Sequence, residues 1–406
     1  MRILLVSNLY APYGVGGAEI AARNYAAQLE KLGHEIFVLT STYGLKQPEQ
    51  DGHIRRTLRF IPGHFWSYRY APNAAELQRT IAEVQPDVLY VWEIMGLGVV
   101  PMLKVLNAVS IPVVYQLQSY WFHYVLLQQN GYSHVRYRWL KRQLIGTAPF
   151  PRYTSMIVVS NIVKEEYVKL GCDPESIEVV YNGIEDYFFT TPFSKEHERQ
   201  PGCTRLAYIG RLCSAKGVLV LLKALDILIN EQKQPQFSLD IIGADDEAYT
   251  KKLYDFVQAK RLQTAVTFHG KVPQGNLIQH YDQADIIIVP SIWKEPCSAV
   301  LVEAMARGVP LIATSIGGTV EIVTHGVDGL LIEPGDEYAL ASTILQLDTD
   351  SSLCTKLTTA GLATARNRFT VEATGLRIEQ HLQRAINGVT SEVPNTSDVR
   401  MIPRLK

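Results

Sequence analysis

Residues 2–41 read RILLVSNLYAPYGVGGAEIAARNYAAQLEKLGHEIFVLTS. RILLVSN and HEIFVLTS are apolar runs of strand length, and EIAARNYAAQLEKLG between them repeats its apolar residues with helical period. Two strands joined through a helix pair in parallel, and near-continuous apolar strands belong to a sheet covered on both faces. The rhythm continues outward through DVLYVW, IPVVYQL and SMIVVSN. It stops at TTPFSKEHERQPGC, residues 190–203, a polar stretch without periodicity, and restarts with RLAYIGR, SLDIIGA, AVTFHGK, DIIIVPS, PLIATSI and GLLIE. The expectation is an α/β chain of two doubly wound parallel-sheet domains facing a cleft. The first domain spans 1–186, a linker 187–203 and the second domain 204–370. A last helix at 371–387 is expected to pack back on the first domain, and 388–406 reads as a loose tail.

Composition narrows the class. A chain of 406 residues that is 47% hydrophobic and 19% charged buries a large core, and a formal net charge of −1 supplies no basic field for nucleic acid. Five scattered cysteines without a CxxC pair fit a reducing compartment, not a disulfide frame or a zinc site. No apolar run reaches the ~20 residues of a membrane-spanning helix. The expected location is the cytoplasm, with peripheral contact at the inner face of a membrane as a further option.

In an open parallel sheet ligands bind beyond the carboxyl ends of the strands, so four loops after strands matter most. YGVGGAE, residues 13–19, leads into the first helix, and Gly16 and Gly17 let backbone approach an anion at the helix N-terminus. It matches a dinucleotide fingerprint only in part, because Glu19 stands where a small residue is wanted and the second strand ends without an acidic ribose ligand. GRLCSAKG, residues 210–217, puts Arg211 and Lys216 on one loop, two cations for a diphosphate. IIGADDE at 241–247 offers Gly243 for close approach of a nucleoside, while Asp245 and Asp246 read equally as helix caps. WKEPCSAVLVEAMARGVP, residues 293–310, sets Glu295 before a helix capped by Ser298 and Glu303 at the rim of that helix, with Cys297 as a small filler. Backbone N–H groups at this helix start suit an anion, and the carboxylates suit neutral hydroxyls of the same ligand. A phosphorylated sugar has both. Asp348-Thr349-Asp350 has D-x-D spacing but follows a helix late in the chain and reads as a helix-to-helix turn.

Taken in order, GGAE, VVYNGIE at 179–185, GRLCSAKG and the E-x7-E stretch make the chain resemble glycosyltransferase family 4 over most of residues 1–385. The resemblance implies retaining enzymes with two Rossmann-like domains, the GT-B architecture, that use a nucleotide-diphosphate sugar and no metal. It implies that Glu303 binds ribose hydroxyls, that Glu295 binds sugar hydroxyls, and that Arg211 and Lys216 hold the diphosphate. Gly16 and Gly17 would face the diphosphate from the other domain. Gly243, Val272 and the backbone of Cys297, Ser298, Ala299 and Val300 fall on the donor side, and Asn182 lies in the NG turn near the hinge. LQSYWFHY, residues 117–124, departs from the L-H-D-Y-W that relatives commonly carry, with Gln118 at the histidine and Ser119 at the aspartate. His123 is a substitute base only if its loop turns into the cleft. Gln118, Tyr120, Trp121 and His123 are therefore the acceptor-side candidates. The acceptor itself is left as a glycan, a lipid-linked or a small molecule. The aromatic and basic segments 61–73 and 120–145 suit sugar stacking, a membrane surface or a core lid alike. A sugar-nucleotide epimerase and a silent nucleotide-sugar binder stay open as alternatives.

Overall fold

The structure is a computed structural model that describes residues 1–13, 16–61, 69–120, 155–170, 172–191 and 202–389. The chain forms two compact units, 1–182 with 371–406, and 183–370. Each is a sheet wrapped by helices.

In the first unit the strands are β1 (Arg2–Val6), β2 (Glu35–Ser41), β3 (Glu49–Asp51), β4 (Ile54–Leu58), β5 (Val88–Val91), β6 (Val113–Leu117), β7 (Ser155–Val158) and β8 (Ile177–Val179). Among the described residues they lie in the order β3-β4-β2-β1-β5-β6-β7-β8, all parallel except the edge strand β3. The sequence reading contains no β3, β4 or β8, because EQD is wholly exposed, IRRTL is only partly buried and IEV is three residues long. From β1 the chain moves outward to β2, then crosses to the other side at β5, so the switch point lies between β1 and β5.

The second unit repeats the plan with β9 (Thr204–Ile209), β10 (Phe237–Ile242), β11 (Val266–Gly270), β12 (Ile286–Val289), β13 (Leu311–Thr314) and β14 (Leu330–Ile332). Their order is β11-β10-β9-β12-β13-β14, all parallel, with the switch point between β9 and β12. β12, IIIV, is buried at every position, as the apolar run demands of a central strand.

The unit boundary differs from the expected linker. Ile184 donates its N–H to Phe369 O at 2.8 Å, and residues Tyr187–Thr190 form a short helix in which Phe188 is buried. Arg307 donates to Phe188 O at 3.0 Å and to Thr191 O at 2.9 Å. Residues 183–191 therefore belong to the second unit. Most of the polar stretch, residues 192–201, lies outside the described residues, and the boundary falls between Asn182 and Gly183 and again between Thr370 and Val371.

The helix Val371–Val389 runs two residues past its expected end. Val371, Ile378 and Leu382 join Tyr25, Leu29, Trp92 and Ile157 in the first unit's core. Its polar side is anchored by Glu178, which accepts from His381 Nδ1 at 2.9 Å and also pairs with Arg384. Those partners hold the Glu178 carboxyl down at about 2, the His381 bond being the largest cause. Among the described residues no helix is long and apolar enough to cross a membrane.

Candidate functional site

The loops after β9 and β12, neighbours at the second switch point, meet through Lys216 and Glu295. Gly210 leads from β9 into a loop whose course is held by Tyr208, its hydroxyl donating to Arg211 O at 2.7 Å. The loop ends in the 3-10 turn Ser214–Lys216. Ile292 N–H donates to Ala215 O at 3.0 Å and ties this turn to the loop after β12. Lys216 Nζ then reaches Glu295 Oε2 at 2.7 Å.

Glu295 is 6% exposed and also accepts from the Ser291 hydroxyl. A carboxylate so enclosed requires a counter-charge and hydrogen bonds, and Lys216 and Ser291 supply them to Glu295. Its backbone is clamped by the loop after β13. Gly318 N–H donates to Glu295 O at 2.7 Å, and a Cβ at Gly317 or Gly318 would lie 2.6 Å from Glu295 O or 2.1 Å from Pro296 O. Only glycine fits that approach. The sequence reading omits this pair, although two glycines directly after a buried strand are a legible signal.

Arg211 differs in character. Its side chain is 70% exposed, and its ion pair to Asp245 is loose at 3.5 Å. Such a pair contributes about 0–1 kcal/mol and yields readily to a better anion. Asp246, the other acidic residue of that loop, caps the helix Glu247–Ala259 by accepting from Ala248 and Tyr249 N–H at 2.9 and 3.1 Å.

Ser298 occupies the N-cap of the helix Ala299–Ala306, yet its side chain makes no capping bond. Ala299 and Val300 open the helix at half-buried positions, next to half-buried Cys297. One turn on, Glu303 is half-buried and accepts from the Tyr281 hydroxyl. Burial is the largest cause that pushes its carboxyl up to about 7; the Tyr281 bond opposes it and nearby Glu185 adds to it. Glu303 thus lies at the helix rim, with its carboxylate held by Tyr281. Glu185, from the VVYNGIE stretch, accepts from Gln274 Nε2 at 2.6 Å.

Gly243 has a different reason to be glycine than the one expected. Its φ is 137°, and a Cβ there would stand 1.8 Å from Gly210 O, so the close packing of the β9 and β10 ends demands it. Val272 lies half-buried in the loop after β11. Asp348 and Asp350 sit at the junction of two helices, where Asp350 accepts from Leu353 N–H at 2.8 Å and Asp348 from the Thr204 hydroxyl.

The other candidates belong to the first unit. Gly16 N–H donates to its own helix's Glu19 at 2.7 Å, while a Cβ at Gly17 would meet nothing within 4 Å. Gln118 Oε1 accepts from Asn182 Nδ2 at 2.7 Å, which orients the amide and leaves its Nε2–H groups as the free end. Tyr120 is buried. Trp121, His123, Gly14 and most of segments 61–73 and 120–145 lie outside the described residues.

Two family models cover most of the chain, Glycosyltransferase Family 4 at residues 15–187 and Glycosyl transferases group 1 at residues 190–363. The chain is 27% identical over 356 residues to an uncharacterized glycosyltransferase of Methanocaldococcus jannaschii, covering 84% of this chain and 87% of the relative. It is 27% identical over 401 residues to a glycogen synthase of Mycobacterium tuberculosis, covering 91% and 90%. In fold it resembles sucrose-phosphate synthase of Thermosynechococcus elongatus, with a TM-score of 0.76 and 22% identity over 95% of this chain and 99% of that one. It also resembles Anabaena HepE in complex with UDP and glucose, with a TM-score of 0.71 and 22% identity over 94% and 99%. The two sheets have the GT-B architecture.

Proposed function

From a chain that belongs to glycosyltransferase family 4, we propose a retaining, metal-independent transfer of a sugar from a nucleotide-diphosphate sugar to a hydroxyl of a glycan, lipid-linked or small-molecule acceptor. The observation that carries this reading is the Lys216–Glu295 pair at the switch point, with exposed Arg211 on the same loop. Transfer leaves negative charge on the departing phosphate and positive character on the sugar, and preorganised cations and N–H donors lower the energy of that arrangement. Lys216 and Arg211 are the cations, and the uncapped helix start at Ser298 supplies N–H groups. Anabaena HepE holds UDP and glucose, which supports a nucleotide sugar as donor here.

Retention is what the family resemblance implies, and of its two routes double displacement is disfavoured by how the carboxylates are committed. Glu295 is held by Lys216 and Ser291, and Glu303 by Tyr281, so neither is free to form a glycosyl-enzyme bond. The reading is same-face attack. The bond from C1 to the phosphate oxygen breaks, the acceptor oxygen bonds to C1 on the same face, and its proton passes to the departing phosphate.

The test is release of nucleoside diphosphate from a panel of nucleotide sugars, with and without candidate acceptors, in excess chelator. Turnover is expected to persist, because Lys216 and Arg211 provide the charge that a metal would. Activity that vanishes in chelator and returns with magnesium or manganese would overturn the metal-free reading, and donor binding without any release would overturn the enzymatic one.

Glu303→Ala is expected to weaken nucleotide binding by about 1.5–3 kcal/mol, the worth of hydrogen bonds from hydroxyls to a charged acceptor. Only the ionised carboxylate accepts both, so wild-type affinity is expected to rise as pH rises through about 7. Stability moves the other way. Between the ordinary carboxyl value and about 7 the folded chain keeps a proton that the unfolded chain releases, so Glu303's contribution falls as pH rises across that window. Unchanged nucleotide affinity in Glu303→Ala, by calorimetric titration, would leave the residue a purely structural role.

A further inference from the structure

The two cations at the second unit's switch point differ in the carboxylate that each one faces. Lys216 meets Glu295 at 2.7 Å with 22% and 8% of the side chains exposed, so that pair is enclosed and committed. Arg211 meets Asp245 at 3.5 Å with 70% and 40% exposed, and water competes for both partners. One counter-charge is fixed and the other is removable.

Asp245 stands beside Arg211 because the backbone puts it there. β9 and β10 run parallel with Ile209 opposite Ile242, so the loops that follow them leave the sheet side by side. Gly243, where a Cβ would lie 1.8 Å from Gly210 O, lets the two loops approach. Asp246 N–H then donates to Leu212 O at 3.2 Å, which ties the residue after Asp245 to the residue after Arg211. Asp246 also caps the helix Glu247–Ala259 and holds the loop from its far end. Among the described residues the Asp245 side chain accepts from Arg211. The long guanidinium can swing away, but the short carboxylate stays where its loop fixes it.

The consequence is electrostatic. An anion that takes Arg211 must displace Asp245 from it and then lie near a fixed negative charge. The second cost grows with the charge of the anion. A free nucleoside diphosphate carries one negative charge more than the same diphosphate esterified to a sugar, because its terminal phosphate ionises a second time at about pH 6.

We infer that Asp245 is a placeholder for the diphosphate. It occupies Arg211 in the empty site, and its charge biases that site toward the nucleotide sugar and against the free diphosphate that transfer leaves behind. The inference rests on the glycosyltransferase reading above. It makes Asp245 a specificity-determining residue that opposes binding of the product and hastens its departure.

The whole chain is titrated calorimetrically, as wild type and as Asp245→Asn, with UDP, GDP and ADP and with the matching nucleotide glucoses. Salt is low, chelator keeps divalent cations from neutralising the phosphates, and the pH lies well above the second phosphate ionisation. The amide keeps the size of the side chain and removes its charge. The free diphosphate that the wild type binds is expected to bind Asp245→Asn about fivefold tighter, the scale of one exposed ion pair, and the nucleotide sugar about twofold tighter. Both gains should shrink as salt is raised, because exposed charges are screened. A loop residue with only a structural role would lose affinity when altered, or leave it unchanged. Made on top of Arg211→Ala, the same change should gain less, since no guanidinium is left to free. No gain in Asp245→Asn, equal gains on both kinds of ligand, or an undiminished gain in the Arg211→Ala chain each overturns the placeholder. A wild-type chain that binds none of these ligands overturns it together with the reading it rests on. Diphosphate binding without release of any diphosphate from a nucleotide sugar overturns the enzymatic reading alone, and the affinity ratio still judges Asp245.

Discussion

Lys216→Ala is expected to lower turnover by about a hundredfold to a thousandfold, the cost of removing one preorganised donor from a developing oxyanion. The variant loses more than a phosphate contact. Glu295, 6% exposed and held at 2.7 Å by Lys216, is left with the Ser291 hydroxyl as its side-chain partner among the described residues. An enclosed carboxylate without its counter-charge costs about 3 kcal/mol, so a lower melting temperature should accompany the lost rate. Arg211→Ala separates the two effects. Its guanidinium is 70% exposed and bound only loosely to Asp245, so stability should stay within about 0.5 kcal/mol of wild type while turnover falls about a hundredfold. Steady-state rates beside thermal melts decide the matter. Wild-type kcat in Lys216→Ala would sink the proposed mechanism, whatever the stability of the variant.

The second large effect concerns Arg307, which touches no proposed substrate. Its side chain is fully buried and grips Asp282 through two bonds of 2.8 Å, while a third nitrogen serves Phe188 O and Thr191 O. Arg307→Ala strips the counter-charge from Asp282, itself 3% exposed, and leaves two carbonyls without their donor. Removing one partner of such a pair costs about 3–5 kcal/mol. At about 2–4 °C per kcal/mol for a unit of this size, Tm is expected to fall by roughly 6–20 °C. Replacing both partners by apolar residues of similar volume should recover much of that loss, because the desolvation cost disappears with the charges. Equal Tm for wild type and Arg307→Ala would show that the pair contributes nothing net.

Much of this was legible in the chain. Eleven of the fourteen described strands were read from apolar runs, since a strand buried on both faces has to be apolar throughout, whatever its neighbours. β3, β4 and β8 escaped because their residues are polar, half-exposed or too few to carry a period. GRLCSAKG and the E-x7-E stretch could be singled out because their spacing is local, and a loop between glycines after a buried strand exposes its side chains wherever the sheet lies. The boundary was misplaced for the opposite reason. Polarity alone does not mark a unit boundary, and residues 183–191 belong to the second unit through bonds of Ile184 and Phe188 to Phe369 and Arg307, which are distant in sequence.

What the sequence determined by itself was the alternation of strand and helix, the two parallel sheets and the identity of the charged loops, all consequences of spacing along a short stretch. Only the tertiary structure decided the state of each group. It set Lys216 against Glu295 across 79 residues, held Glu303 by Tyr281 from another helix, and turned Gln118 into a donor by spending its oxygen on Asn182, 64 residues away. Burial and pairing depend on which elements become neighbours, and that depends on strand order, which no local pattern encodes.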